Sequence, residues 1–430
     1  MNSPQQPLRK SIFLNLSLFQ FLSFVRRGIF YTFMINYLFD LMQTVTLTTL
    51  LGTFNMLASA LGQNFLWGKI CDRYKLKAKL VILGESIAAG TYLGVYFVHK
   101  SLLGVNANFA AGLSLIFGLS LLEFFWSMSD VGWAALLTGA TSNETRGRIV
   151  GILNFIASLG RMIGIVFAGF LYNGGNGFRQ GTIFYIVVGM LFSSALIMFA
   201  VSRKTEKSNE KEKDYVVKCT SEKETVKNNA HIYKWLLISL ILIVVGASCA
   251  SQVFLLFLKL PEGLNATDPE MSFVLTAWTL GGMLTSLLSG WLADRVGRMK
   301  TLLVGLVLSI LTPPLYAQAS NIPALALFYG LNGASFWMIQ TVGFAFAGDI
   351  IPEDMRGRLF SRYNTVWALS WGPAGLFVGG PLSDFQTRSL GLSSGTAYVN
   401  VFYASSIIVA LGTIIFIVKV AKQKPELPKS

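Results

Sequence analysis

Charge is what this sequence has least of. Only 13% of its 430 residues are Asp, Glu, Lys or Arg, about half the share of an ordinary soluble domain. Cysteine is nearly absent, and Cys71, Cys219 and Cys249 are too few and too scattered for a disulfide framework. The two histidines, His99 and His231, fall outside the long apolar runs, so no metal cluster is expected. No glycine-rich loop ending in lysine is present to cradle a phosphate. That excludes direct use of ATP, calls for no cofactor and leaves nothing that points to an enzyme. The start, Met1 to Lys10, leads into an apolar run too long for a leader and without a small-residue cleavage site, so no cleavable signal peptide is expected.

What is abundant is apolar sequence, 53% of the chain, gathered into runs long enough to cross a hydrocarbon core of about 30 Å. We read twelve spans, at 11–36, 44–67, 79–98, 107–137, 149–171, 181–201, 235–259, 271–291, 301–319, 323–349, 359–381 and 399–419. The fold class is therefore an all-α polytopic membrane protein. A polar insert rich in Lys and Glu divides the spans equally. The domains are thus 1–201, a six-helix bundle; 202–234, a linker; 235–420, a second six-helix bundle; and 421–430, a tail.

The net charge of +14 is a topology signal, not a nucleic-acid footprint. With the N-terminus inside, almost all Lys and Arg fall in inner segments, and the outer loops hold only Lys100, Arg179, Lys259 and Arg388. Both termini are therefore expected in the cytoplasm. An internal repeat reinforces the division into halves. Gly68-Lys-Ile-Cys-Asp72-Arg73 recurs as Gly290-Trp-Leu-Ala-Asp294-Arg295, each joining two apolar segments and followed by clustered Lys or Arg. Asn143-Glu-Thr-Arg146-Gly-Arg148 matches Glu353-Asp-Met-Arg356-Gly-Arg358, which aligns Trp126 and Asp130 with Phe336 and Gln340.

These paired loops and Arg-Gly-Arg signals, together with the span count and linker position, resemble the major facilitator superfamily of secondary transporters. The resemblance covers nearly the whole chain. It implies two pseudo-symmetric bundles that rock about a central substrate site, and it implies that the loops act as latches. Gly68 and Gly290 would end helices where neighbouring backbones come close. Asp72, Arg73, Asp294 and Arg295, with Arg146 and Arg356, would make the latch contacts. Gly151, Gly160, Gly164 and Gly169 in span 5 are similar to the family's antiporter pattern, with Ile165 where proline is usual; close helix packing alone would also account for them. Pro373 marks a bend in span 11. The family's drug:proton antiporters usually carry an arginine in the outer half of helix 4, and the stretch Phe109 to Leu122 has none.

Charges inside the spans carry the most specific information, because each costs about 2.5 kcal/mol or more at mid-bilayer unless paired or wet. Arg26 and Arg27 are central in span 1, Glu123 and Asp130 share one face of span 4 with Trp126 between them, and Arg161 is central in span 5. Asn332, Phe336 and Gln340 give span 10 a matching face. We expect Glu123 to pair with Arg161 or a span 1 arginine, and Glu123 or Asp130 to carry protons; a permanent structural ion pair is the competing reading. Glu85, in the peripheral span 3, is expected to be solvated or paired with a loop, and Asp40 to be at the surface.

The expected function is transport of a small molecule, coupled to protons, by a monomer in the cell membrane. Export leads, uptake of an organic anion is the alternative, and a non-transporting sensor is the competing class. No ATP or nucleic acid is involved in any of these.

Overall fold

The computed structural model describes residues 10–74, 76–140, 143–206, 226–351 and 356–421. Helix is the only regular structure among them. The chain divides into two compact units, Met1–Gln43 with Leu50–Asp214, and Thr44–Thr49 with Tyr215–Ser430.

In chain order the helices up to residue 206 are α1 (Lys10–Tyr31), α2 (Met34–Met42), α3 (Val45–Leu61), α4 (Gly68–Tyr74), α5 (Lys77–Gly104), α6 (Asn108–Ala140), α7 (Asn143–Tyr172), α8 (Asn176–Arg179) and α9 (Thr182–Glu206). Those after it are α10 (Val226–Cys249), α11 (Ser251–Lys259), α12 (Asp268–Val296), α13 (Arg298–Tyr316), α14 (Ile322–Ile350), α15 (Arg356–Trp371), α16 (Gly380–Arg388) and α17 (Ser394–Phe416). Helix thus reaches into both ends of the expected linker, while 207–225 and 422–430 lie outside the described residues. Wider π turns at Gly62–Trp67 and Gly375–Gly379 interrupt the regular winding.

Ten helical stretches among the described residues are long and apolar enough to cross a membrane, and an eleventh is the pair Asp268–Ser286 and Leu288–Val296, bent by 41°. The stretch read as 359–381 is not one continuous helix. Pro373 has no N–H to give and its ring crowds the preceding turn, so α15 stops at Trp371 and α16 restarts at Gly380.

In the first unit, close backbone contact is made by glycine. A Cβ at Gly164 would come within 2.2 Å of the Val25 carbonyl oxygen, one at Gly28 within 2.6 Å of the Arg161 carbonyl, and one at Gly160 within 2.6 Å of the Phe21 carbonyl. The glycine spacing in α7 therefore serves to seat it on α1, as small residues do where lipid gives helices no hydrophobic drive to associate. On the other side of the unit, a Cβ at Gly84 would approach the Ser129 backbone nitrogen to 2.8 Å and one at Gly132 the Lys77 carbonyl to 2.7 Å, so α5 lies tightly along α6.

His99 corrects the sequence reading. It is not beyond the span but fully buried inside α5, which runs on to Gly104. Its Nδ1 meets the Ala111 carbonyl at 3.1 Å and its Nε2 meets the Tyr37 hydroxyl at 2.7 Å. A carbonyl can only accept, so Nδ1 carries the proton and the tyrosine donates to Nε2.

The second unit packs around Leu236, Leu240, Ile243, Leu306, Val342 and Phe346. Within it, the Asp384 carboxylate accepts from the Val45 and Thr46 backbone N–H groups at 3.1 and 2.8 Å, satisfying donors that open α3. Gly297 ends α12 with φ of 99°, a conformation that suits glycine.

Gly164→Val should destabilise the protein by about 1–3 kcal/mol through overpacking. Gly151→Ala, where nothing lies within 4 Å of the added carbon, should be neutral. Thermal unfolding in detergent compares the two, and equal melting temperatures would contradict the packing role.

Candidate functional site

The middle of the first span, Ser11–Met42, falls at Arg26 and Arg27. Burial of the apolar face of α1 takes Arg26 with it. It is 1% exposed, while Arg27, one residue on, is half-buried. A guanidinium in that position needs compensation, and α6 supplies two kinds. The Trp126 ring, 4% exposed, lies 4.6 Å from the Arg26 guanidinium carbon and 3.9 Å from that of Arg27, measured to the ring centroid. Such contacts are worth about 2 kcal/mol when desolvated. Asp130, one turn further along, stands 3.9 Å from Arg27 as an ion pair whose side chains are 32% and 42% exposed. The pair is loose and reachable, in contrast to the sealed Arg26.

A third group near Arg26 comes from α5 and is a residue read differently in the sequence. Glu85 is neither solvated nor paired with a loop; it is completely buried. Its Oε1 accepts from the Trp126 indole Nε1–H at 2.7 Å and from the Ser129 hydroxyl at 2.8 Å, and its charge attracts Arg26. The physical reason is the glycine contact between α5 and α6, which brings Gly84 onto the Ser129 backbone and carries Glu85 inward with it. A sequence signal for this existed. Gly84, Glu85, Ala88, Ala89, Tyr92 and His99 recur at helical spacing, and all belong to the buried face of α5.

Glu123, two turns from Asp130 on α6, is half-buried and shares the electrostatic field of Arg26, Arg27 and Asp130. Arg161 is exposed on α7. Of the residues nominated in this half, the structure gathers Arg26, Arg27, Trp126 and Asp130 into one cluster, adds Glu85 and Ser129, and sets Glu123 at its edge.

The second unit builds its counterpart from neutral groups. Asn332 is 8% exposed. It accepts from the Trp278 indole at 3.3 Å and donates to the Thr312 hydroxyl at 3.1 Å, tying α14 to α12 and α13. Phe336 lies 5.6 Å from Trp278 and 5.7 Å from Trp367, centroid to centroid. Gln340 is half-buried two turns from Gly333 in the same helix.

The loop residues are arranged differently from expectation. Neither glycine ends a helix: α4 begins at Gly68, and α12 runs through Gly290 to Val296. Around Gly290 an added Cβ would meet nothing within 4 Å, so close approach is not its role; the helix-ending glycine is Gly297. Arg73 is exposed beside the Tyr74 ring, at 5.6 Å, and Arg295 lies 4.4 Å over Trp291. Asp294 is exposed. Among the described residues, Arg298 forms an ion pair with Asp349 in this region and also donates to the Ala345 carbonyl at 3.0 Å. The side chains of Asp72, Arg146 and Arg356 lie outside the described residues.

Comparison with known proteins gives a consistent family. The sequence model of the Major Facilitator Superfamily matches residues 16–263 and 240–430. Quinolone resistance protein NorA of Staphylococcus aureus is 24% identical over 173 residues, 40% of this chain and 43% of NorA. The galactose-proton symporter of Escherichia coli is 28% identical over 105 residues, 24% of this chain and 23% of the symporter. An uncharacterised MFS-type transporter of Mycobacterium tuberculosis is 27% identical over 116 residues, 27% of this chain and 17% of that protein. The matched segments thus span less than half the length of each of these relatives. Among solved structures, a bacterial homologue of the human lysosomal transporter Spinster superposes with a TM-score of 0.71 at 12% identity, covering 99% of both chains. A bacterial homologue of the iron transporter ferroportin gives 0.66 at 15% identity, over 96% of this chain and 99% of that one. These two likenesses concern the fold alone.

Replacing Arg26 by Met removes its contact with the Trp126 ring and should cost about 2 kcal/mol. Unfolding titrations in detergent micelles measure it, and a loss below about 1 kcal/mol, the worth of an exposed contact, would mean that the contact is solvated.

Proposed function

The chain belongs to the Major Facilitator Superfamily, and from that premise we propose that it moves a small molecule across the cell membrane in exchange for protons, exporting its substrate by alternating access. The moving parts are the two six-helix halves, with both chain termini on the cytoplasmic side. Asp130 is the coupling carboxylate and Arg27 its switchable partner. Glu123 stands in support, and Arg161 on the neighbouring helix is a further candidate. Gly68, Asp72, Arg73, Gly290, Asp294 and Arg295, with Arg146 and Arg356, belong to the gates. The protein works as a monomer, without ATP.

The observation that carries this reading is the half-exposed Arg27–Asp130 pair, 3.9 Å apart in the middle of apolar spans. A charge pair at that depth survives only if it is used or enclosed, and Arg26 shows how this fold encloses one. Protonation of Asp130 frees Arg27, and its deprotonation recaptures the guanidinium, so the proton and the substrate compete through a single ion pair. Similarity to NorA, a quinolone resistance protein, is in keeping with export, and similarity to the galactose-proton symporter with proton coupling. A second reading, uptake of an organic anion, is favoured by two arginines at the centre of the first span.

Proton flux in proteoliposomes tests the proposal, with a panel split between lipophilic cations and organic anions. Wild type should release protons when challenged with cations. Asp130→Asn should reduce that flux by about 100-fold or more, in the range of a lost proton-transfer group, while Glu123→Gln should retain most of it. Anion-driven proton entry would move the reading to uptake. An unaffected Asp130→Asn would remove Asp130 from coupling, and silence with every compound would favour a sensor.

A further inference from the structure

We propose that Glu85, on a helix outside the Arg27–Asp130 pair, is the positioning residue of the coupling site. Through Oε1 it holds the edge of the Trp126 indole, and the indole in turn keeps Arg27 against Asp130. The coupling half of this inference rests on the proton-coupled reading above; the positioning half rests on geometry alone.

The arrangement has a defined direction. Among the described contacts, Glu85 hydrogen-bonds neither Arg27 nor Asp130. Its two hydrogen-bonding donors are the Trp126 indole N–H at 2.7 Å and the Ser129 hydroxyl at 2.8 Å, and both converge on one oxygen, Oε1. Oε2 is buried and makes no hydrogen bond among the described residues. Trp126 therefore has its edge fixed by α5 and its π-system occupied by α1, with Arg27 at 3.9 Å and Arg26 at 4.6 Å from the ring centroid. The ring is 4% exposed and Glu85 is sealed, whereas Arg27 and Asp130 are 32% and 42% exposed. A sealed contact thus supports a half-exposed one. If the indole loses its acceptor, it has an unpaired buried donor and is free to turn, and Arg27 loses the surface that sets its distance from Asp130. A displacement of about an ångström at such a pair is enough to matter, since misplacement on that scale can cost about 100-fold in rate.

The convergence on Oε1 makes the idea separable from its rivals. Glutamine keeps a carbonyl oxygen that accepts from both donors but carries no charge and cannot exchange a proton. If Glu85 acted as the proton carrier, or mattered only as the counter-charge of Arg26, Glu85→Gln would fail as completely as Glu85→Ala. If it acts by holding Trp126, glutamine rescues.

The experiment uses full-length protein in detergent and in proteoliposomes, as wild type, Glu85→Gln, Glu85→Ala, Trp126→Phe and Glu85→Ala/Trp126→Phe. The near-ultraviolet circular dichroism of wild type minus Trp126→Phe isolates the Trp126 band. That band should persist in Glu85→Gln and collapse in Glu85→Ala. In proteoliposomes, with the cation that drives the largest wild-type proton flux, Glu85→Ala should lose flux at least about tenfold, inside the range that misplacement can reach. Trp126→Phe should lose a similar amount, the double variant no more than either, and Glu85→Gln should recover to within about twofold of wild type, the scatter expected of uncoupled sites. Additive losses in the double variant, or a Glu85→Gln as inactive as Glu85→Ala, would overturn the proposal. Should Glu85→Ala not fold, the band and flux of Glu85→Gln against Trp126→Phe still decide it. A collapsed band in Glu85→Gln overturns positioning, and an intact band with lost flux overturns its link to coupling. If wild type moves no protons with any compound, the proton-coupled reading fails, while the dichroism arm still tells whether Glu85 holds the ring.

Discussion

A guanidinium at the centre of an apolar span is the constraint on which the first unit depends. Arg26 is 1% exposed, and nothing in hydrocarbon can take the place of its lost water. It lies instead against the face of Trp126, whose edge Glu85 holds from α5, and that arrangement exists only because α5 lies close along α6. That closeness in turn requires residues without side chains at the contact, as Gly84 and Gly132 provide. The chain of dependence runs from a single charge, through a carboxylate and an indole, to the glycines that let two helices touch. The same logic holds α7 on α1 through Gly28, Gly160 and Gly164.

The two halves solve corresponding positions with different chemistry. Where α6 carries Trp126 and Asp130, α14 carries Phe336 and Gln340. The first unit holds an ion pair and a buried charge cluster there, and the second a neutral network of Trp278, Asn332 and Thr312. Hydrogen bonds of that kind contribute less than about 2 kcal/mol each between helices in a membrane, and they neither gain nor lose a proton in ordinary conditions. At these corresponding positions, among the described residues, the first unit carries titratable groups and the second aromatic surface around Trp278, Phe336 and Trp367.

Helix ends show where pattern and structure part. Gly68 and Gly290 sit in equivalent sequence settings, and neither ends a helix: Gly68 follows a π turn within the helical stretch Val45–Cys71, and Gly290 lies within α12. The chain instead breaks at Gly297, where φ is 99°, and at Pro373, where a backbone donor is missing. Arg298 then reaches Asp349 and the Ala345 carbonyl from the first turn of α13. Among the described residues, the ion pair in the second copy of the motif is made by Arg298, in the basic cluster that follows Asp294 and Arg295.

The sequence by itself determined the class of this protein: all-helical, membrane-crossing, built from two related halves, with Arg26, Arg27, Glu123 and Asp130 as the charges to explain. Run length, periodicity and the scarcity of charge are local properties, and a bilayer leaves them few alternatives. Trp126 was legible too, because it lies between two carboxylates on one helical face. Tertiary structure alone decided that Arg27 meets Asp130, that Glu85 is sealed against Trp126 and Ser129, and that His99 is buried against Tyr37. Helical periodicity can say that a residue such as Glu85 shares a face with Ala88 and Tyr92, but not which neighbour that face will meet. The partner is chosen by close packing between helices far apart in the chain, and no single segment holds that information.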